Sequence, residues 1–154
     1  MNSRIFDVDL ITSKSNSTIV KIGKLQQKKA RKDEQLFTLD GVKLFQEAYS
    51  FGAEIKYIIL KDSSAFDEKV LDKIRELQQR KVQVLCVNDV VFEKLTDESA
   101  PQGIITVCKF LNIHNYIDFS QGKKGERVMM LESIRDPGNF GSILRNAAAF
   151  GVDT

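Results

Sequence analysis

Apolar positions along this chain recur with two different periods. Ile19, Ile22 and Leu25 follow Ser17 at helical spacing, which predicts a helix capped by Ser17 and running to about Lys32. Leu36, Phe37 and Leu39 then form a short strand-like run closed by Asp40-Gly41. Val42, Leu44, Phe45, Ala48 and Tyr49 return to the helical pattern, and Gly52 stops it. IKYIILKD is rich in β-branched and aromatic residues and predicts a strand. FDEKVLDKIRELQQRK is the clearest helix, with Val70, Leu71, Ile74 and Leu77 on one face. VQVLCV predicts a strand, Asn88 is placed to cap a short helix in DVVFEKL, and IITVCKF predicts another strand. Such alternation over residues 18–110 implies an α/β or α+β sandwich in which helices cover a sheet.

The pattern breaks at residues 111–126, LNIHNYIDFSQGKKGE, which are polar and glycine-bearing in the manner of a linker. His114, Lys123 and Lys124 belong to that linker, with no carboxylate or nucleophile pattern around the histidine. Beyond it, RVMMLESI predicts a strand, DPGNFGS a turn and ILRNAAAFG a helix. The expected organisation is an N-terminal arm over 1–17, a domain over 18–110, a linker over 111–126 and the start of a second domain over 127–154.

Composition narrows the function classes. Apolar residues make up 42% and charged residues 29% of 154, too apolar for a disordered chain. No apolar run approaches the ~20 residues of a membrane span, and the N-terminus lacks the charged and apolar regions of a secretory signal. Cys86 and Cys108 sit in apolar runs, so they are expected to be buried thiols of a cytoplasmic protein. Two cysteines and one histidine supply no metal site. Charge is uneven. Residues 1–32 carry eight Lys/Arg against two Asp, residues 33–126 are net acidic by four, and residues 127–154 are neutral. Lys21, Lys24, Lys28, Lys29, Arg31 and Lys32 fall within twelve residues. A cluster of this kind suits a polyanion, with Lys28, Lys29, Arg31 and Lys32 as candidate RNA contacts; a solvated helix face suits the same pattern equally well. Phe45, Tyr49 and Phe51 fit core packing better than a base-stacking platform, and Glu47 either orients a loop lysine or faces water.

A strand, a glycine turn and a helix start bring backbone N–H groups and polar side chains to one place. LESIRDPGNFGSILRNAAAFG has this form: Pro137 and Gly138 shape the turn, Gly141 permits close approach, and Arg145 follows Gly141 by one helical turn. Asp136-Pro137-Gly138-Asn139-x-Gly141-x-Ile143-x-Arg145-x-Ala147, followed by Ala149-Phe150-Gly151, closely resembles the first motif of the SpoU-type RNA 2′-O-ribose methyltransferases of the SPOUT superfamily. Phe37-Thr38-Leu39-Asp40-Gly41-x-Lys43-Leu44-x-x-Glu47-Ala48 and Pro101-Gln102-Gly103-Ile104 resemble that family's accessory substrate-binding domain, itself similar to ribosomal kink-turn proteins. Asp40 stands where glutamate is usual and Asn146 where threonine or serine is usual.

The resemblance covers residues 18–154 and implies an accessory RNA-binding α/β sandwich followed by the first βα unit of a knotted catalytic domain. By resemblance, Arg145 organises the target phosphate and assists deprotonation of the ribose 2′-hydroxyl, which takes the methyl group of S-adenosylmethionine. A free arginine is too weak an acid to be a simple base, so phosphate or water must share that role. Asn139 supports the loop, and Glu132 ends the first catalytic strand. The later motifs that form the knot, bind the methyl donor and build a homodimer interface are not in this sequence. The expectation is therefore an N-terminal portion of a longer enzyme acting on rRNA or tRNA, inactive and without cofactor by itself. The alternatives are a stand-alone kink-turn-type RNA-binding module and a protein-interaction domain whose basic helix is merely solvated.

Overall fold

Five strands pair into one mixed sheet in the computed structural model, which describes residues 1–110 and 125–154. They are β1 (Leu10–Ile11), β2 (Leu36–Asp40), β3 (Ile55–Lys61), β4 (Gln83–Val87) and β5 (Ile104–Lys109), ordered β1-β4-β3-β5-β2. The β1–β4 and β3–β4 pairs are parallel, and β5 runs antiparallel to both β3 and β2. β3 and β5 lie inside the sheet, which explains their nearly unbroken apolar runs: both faces of a central strand are covered. The parallel β3–β4 pair needs a crossover, supplied by helix α5 (Glu68–Gln79), whose N-cap Asp67 accepts the Val70 N–H at 2.9 Å.

Alternation along the strands divides the core in two. Ile58, Leu60, Val84, Cys86, Ile104 and Cys108 face α5 and α4 (Val42–Ser50), where Phe45, Val70 and Ile74 are fully or almost fully buried. Ile59, Val87, Ile105 and Val107 face the opposite side. There they meet Ile19 and Ile22 of α2 (Ser17–Gly23), Leu25 of a 3-10 turn (Lys24–Gln26), and Val91 and Phe92 of α6 (Asp89–Phe92). A bulge between Ile55 and Tyr57 lets Ile55 share the first face with Ile58.

Several expectations change. Asn16, not Ser17, caps α2, accepting the Thr18 and Ile19 N–H groups at 3.0 and 3.2 Å. The single helix expected to Lys32 is three pieces: α2, the 3-10 turn, and α3 (Lys28–Glu34), with Gln27 extended at φ −89° and ψ 133°. A spacing of three fits the 3-10 period as well as the α period, so Ile19, Ile22 and Leu25 keep one face through the change. Residues 1–17 are not a free arm. α1 (Asn2–Ile5) is tied to the end of β3, where the Asn2 side-chain amide donates to the Lys61 and Ser64 carbonyls at 2.8 and 2.9 Å. Phe6 is buried, and β1 pairs with β4 through Leu10↔Cys86 and Ile11↔Val87.

The chain divides into two compact units, Met1–Asn112 and Ile113–Thr154. His114, Lys123, Lys124 and nearly all of the expected linker lie outside the described residues. In the second unit, α7 (Pro137–Ala149) begins six residues before Ile143, the expected start of the helix.

 The Asp136 carboxylate caps it, accepting the Asn139 N–H at 2.7 Å, and Pro137 occupies the first helical position. Pro137, Gly138, Asn139 and Gly141 therefore stand inside the helix and not in a turn ahead of Ile143. The strand expected in RVMMLESI is absent; residues 126–136 have no regular structure. One rung of parallel pairing is present: Thr154 N–H donates to the Arg127 carbonyl at 3.3 Å and Met129 N–H donates to the Thr154 carbonyl at 2.8 Å. A strand needs a partner along its length, and the described residues of this unit offer Arg127–Met129 only that rung.

Candidate nucleic-acid interface and motif helix

α3 presents Lys28, Lys29 and Lys32 to solvent, and none of them pairs with a carboxylate among the described residues. Arg31 behaves differently. Its guanidinium folds back and donates to the Leu25 and Gln26 carbonyls at 2.8 and 2.7 Å, closing the end of the 3-10 turn. Of the four predicted RNA contacts, three are unpaired ammonium groups and the fourth holds the backbone that aims them. Lys21 is also engaged: its ion pair with Glu34 at 2.7 Å raises its pKa, chiefly through the hydrogen bond.

The Asp40-Gly41 and Pro101-Gln102-Gly103 segments meet. Gly41 is at φ +100°, where its N–H reaches the Ile104 carbonyl at 2.9 Å. The Gln102 side-chain oxygen accepts the Val42 N–H at 2.7 Å, so a residue sixty positions away caps α4. At Gly103, φ is +82° and an added Cβ would lie 2.0 Å from the Ser64 hydroxyl. Asp40 accepts a short hydrogen bond from the Thr96 hydroxyl, while its second oxygen, Oδ1, is buried without a partner. Phe45 belongs to the core, Tyr49 donates to Glu76, Phe51 is 88% exposed, and Glu47 faces water. The three aromatics assemble no stacking platform, and Phe51, beyond the end of α4, departs from the core packing expected of it.

On α7, the Arg145 guanidinium lies over Gly141, where an added Cβ would stand 3.4 Å from it, and it donates to the Ser142 hydroxyl at 3.2 Å. Residues four apart are separated by ~40° around a helix, so Gly141 leaves room for Arg145 on a shared face. Asn139 and Arg145 are six apart, ~120° around the helix, and no hydrogen bond joins them. Ser142 is the partner that the sequence pattern did not single out. Glu132 is exposed in the irregular segment. The C-terminal end of α7 closes at Gly151, φ +66°, with Gly151 and Val152 N–H groups donating to the Ala148 and Ala147 carbonyls. Arg127 donates to the Phe150 carbonyl at 2.8 Å and covers Gly151.

The second unit has a shallow cleft of about 210 Å³ lined by Met129, Leu131, Leu144, Ala147 and Val152. Its polar groups are engaged locally: Asp153 accepts the Arg127 N–H at 2.9 Å, and Thr154 donates to Glu126 at 3.1 Å. An apolar cleft of this kind offers no set of donors and acceptors for an adenosyl group and an amino-acid tail, so S-adenosylmethionine does not fit it. Burial pushes the Cys86 thiol up to about 12 and Cys108 to about 11, which keeps both neutral and unreactive. Among the described residues, no group of His, Cys, Asp or Glu is arranged to hold a metal, and no helix is long and apolar enough to cross a membrane.

Comparison with known proteins places this geometry. Residues 16–106 match the family model of the MRM3-like substrate binding domain. The chain is 25% identical over 143 residues to 23S rRNA (guanosine(2553)-2'-O)-methyltransferase RlmP of Bacillus subtilis, covering 93% of this chain and 52% of that protein. It is 31% identical over 139 residues to the mitochondrial rRNA methyltransferase 3B of Danio rerio, covering 88% of this chain and 30% of that protein. A solved rRNA methyltransferase from Sinorhizobium meliloti, also solved with AdoMet bound, superposes with a TM-score of 0.73 at 29% identity, covering 94% of this chain and 52% of that one. The chain thus spans about half the length, or less, of these relatives. With more than half of its residues matched by that model, the chain belongs to the MRM3-like substrate binding domain family.

Proposed function

We propose that the first unit binds rRNA or tRNA for an enzyme that methylates a ribose 2′-oxygen with S-adenosylmethionine. On this reading the present chain is the N-terminal portion of that enzyme, an accessory substrate-binding domain followed by the opening segment and motif helix of the catalytic domain. The observation that carries the reading is the family match over residues 16–106 to a substrate binding domain that here exposes the unpaired lysines Lys28, Lys29 and Lys32. Phosphate backbones bind such lysines by releasing counterions, so the affinity is salt-dependent.

Arg145 belongs to the same proposal as a phosphate-binding residue beside the target ribose. Its fixed charge suits a phosphodiester oxygen, and its place over Gly141 leaves donors free to make that contact. Asp136 holds the start of α7 and Ser142 holds the guanidinium; both are positioning residues. Asn139 is left to contact the loop or the RNA from another side of the helix. The reading includes homodimerisation of the enzyme through its catalytic domain and a cytoplasmic site of action. It also expects no methyl-donor binding by these 154 residues alone.

The test is RNA binding by the full chain across a salt series, followed by fluorescence anisotropy of a labelled rRNA fragment. Changing Lys28, Lys29 and Lys32 together to Gln should reduce the slope of log affinity against log salt by about 2, since each phosphate contact contributes ~0.7–0.9. An unchanged slope rejects α3 as an RNA face. Calorimetric titration should give no S-adenosylmethionine binding to this chain, and micromolar binding would overturn that part of the reading.

A further inference from the structure

We propose that Lys14, Lys24 and Lys94 form a phosphate-binding cleft that carries an RNA strand past α2, separate from the lysines of α3. The proposal rests on the RNA-binding reading above and names a second place of contact. A cleft of about 250 Å³ opens between the loop before α2, the 3-10 turn and the residues after α6. Each of these three segments contributes one lysine, and Lys94 is seventy positions from Lys24 in sequence. Ile19 and Leu95 are buried beneath the cleft, and the Gln26 and Gln27 side chains border it.

Three observations favour a phosphodiester as the occupant. All three lysines are exposed and none forms an ion pair, whereas Lys21, Lys61 and Lys109 each pair with a carboxylate. The charges are therefore available to a ligand, and no carboxylate lines this cleft. The neighbouring cleft, of about 230 Å³, shares Gln26 and Leu95 with it but carries the three carboxylates Asp40, Asp97 and Glu98 against Arg31, whose guanidinium is engaged with the Leu25 and Gln26 carbonyls. Gln26 stands at the border, its side-chain amide donating to Asp97 at 3.4 Å. A polyanion is attracted to one cleft and repelled by the other, so the pair fixes which side of Gln26 the backbone crosses. Gln27, beside the lysines, adds a neutral donor for phosphate or ribose oxygens. Finally, Arg31 anchors the 3-10 turn that carries Lys24 to the helix that carries Lys28, Lys29 and Lys32, giving the two basic groups a fixed spacing.

The experiment compares three variants of the full chain in the same anisotropy assay over 50–300 mM salt. Lys14, Lys24 and Lys94 are changed together to Gln in the first. The second changes Lys28, Lys29 and Lys32. The third is a charge-matched control with Lys56, Lys69 and Lys81 changed. Circular dichroism melts confirm that each folds, as exposed Lys→Gln changes allow. The cleft variant should lose about 2 from the salt slope and bind on the order of tenfold or more weakly at the lowest salt, with the control changing about twofold or less. A cleft variant no weaker than the control overturns the cleft. If that happens while the α3 variant loses affinity, the RNA-binding reading survives without the cleft. If the unmodified chain shows no salt-dependent RNA binding, both fail.

Discussion

The two units use the same local devices and bury very different amounts of surface. α5 and α7 each begin with an aspartate cap, and α7 has in addition a proline at its first position and a glycine closure at its end. α5 buries Val70, Leu71, Ile74 and Leu77 against a five-stranded sheet. α7 buries none of its residues, and every buried hydrophobic side chain of the described chain lies in the first unit. Capping contributes ~1 kcal/mol or less per device, whereas a fully buried aliphatic or aromatic side chain contributes ~1.5–3 kcal/mol. Local signals set where a helix starts and stops; tertiary burial sets how firmly it is held.

The largest effect should come from the core of the first unit. Phe92→Ala, at a fully buried position, is expected to cost about 3–5 kcal/mol in chemical denaturation, while Phe150→Ala, 74% exposed, should cost about 0.5 kcal/mol or less. Similar losses for the two would remove the contrast. Gly103→Ala comes next, at roughly 1–3 kcal/mol, because it combines a left-handed φ with a clash against Ser64. Asp136→Ala should cost about 1 kcal/mol of α7 stability, seen as faster amide exchange over residues 139–146 with the sheet amides unchanged. Faster exchange in β3 or β5 would show that the two units do not open independently.

The smallest effect is a pH dependence within the first unit. Asp62 is buried and its carboxylate accepts the Ser3 N–H at 2.7 Å, the main cause holding its pKa below the usual 3.8. A depressed folded value means the carboxylate stabilises the fold above 3.8 and loses that contribution as pH falls through the lower folded value. Denaturation midpoints at pH 5 and pH 3 should therefore differ more for the unmodified chain than for Asp62→Asn. An equal difference would deny the α1–β3 tie this role.

Legibility of the sequence follows the same division. β2 to β5, α4 and α5 were readable because burial imposes a period on five or more side chains in succession. β1 was not, since two residues, Leu10 and Ile11, carry no period and their strand character comes from β4 beside them. The break at Gln27 was hidden because apolar spacing of three satisfies two helix types. At the candidate site, the motif residues were visible as letters, but their arrangement was not. Arg31 reads like its lysine neighbours until its contacts with the Leu25 and Gln26 carbonyls are seen. Lys14 and Lys94 are isolated charges in the sequence, and only the fold brings them to Lys24.

The most direct test of the account is amide chemical-shift mapping of the full chain titrated with an rRNA fragment. Binding through the first unit should shift amides of residues 14, 24–32 and 94–97 and leave those of α5 in place. Shifts concentrated on α5, with residues 24–32 unmoved, would contradict it.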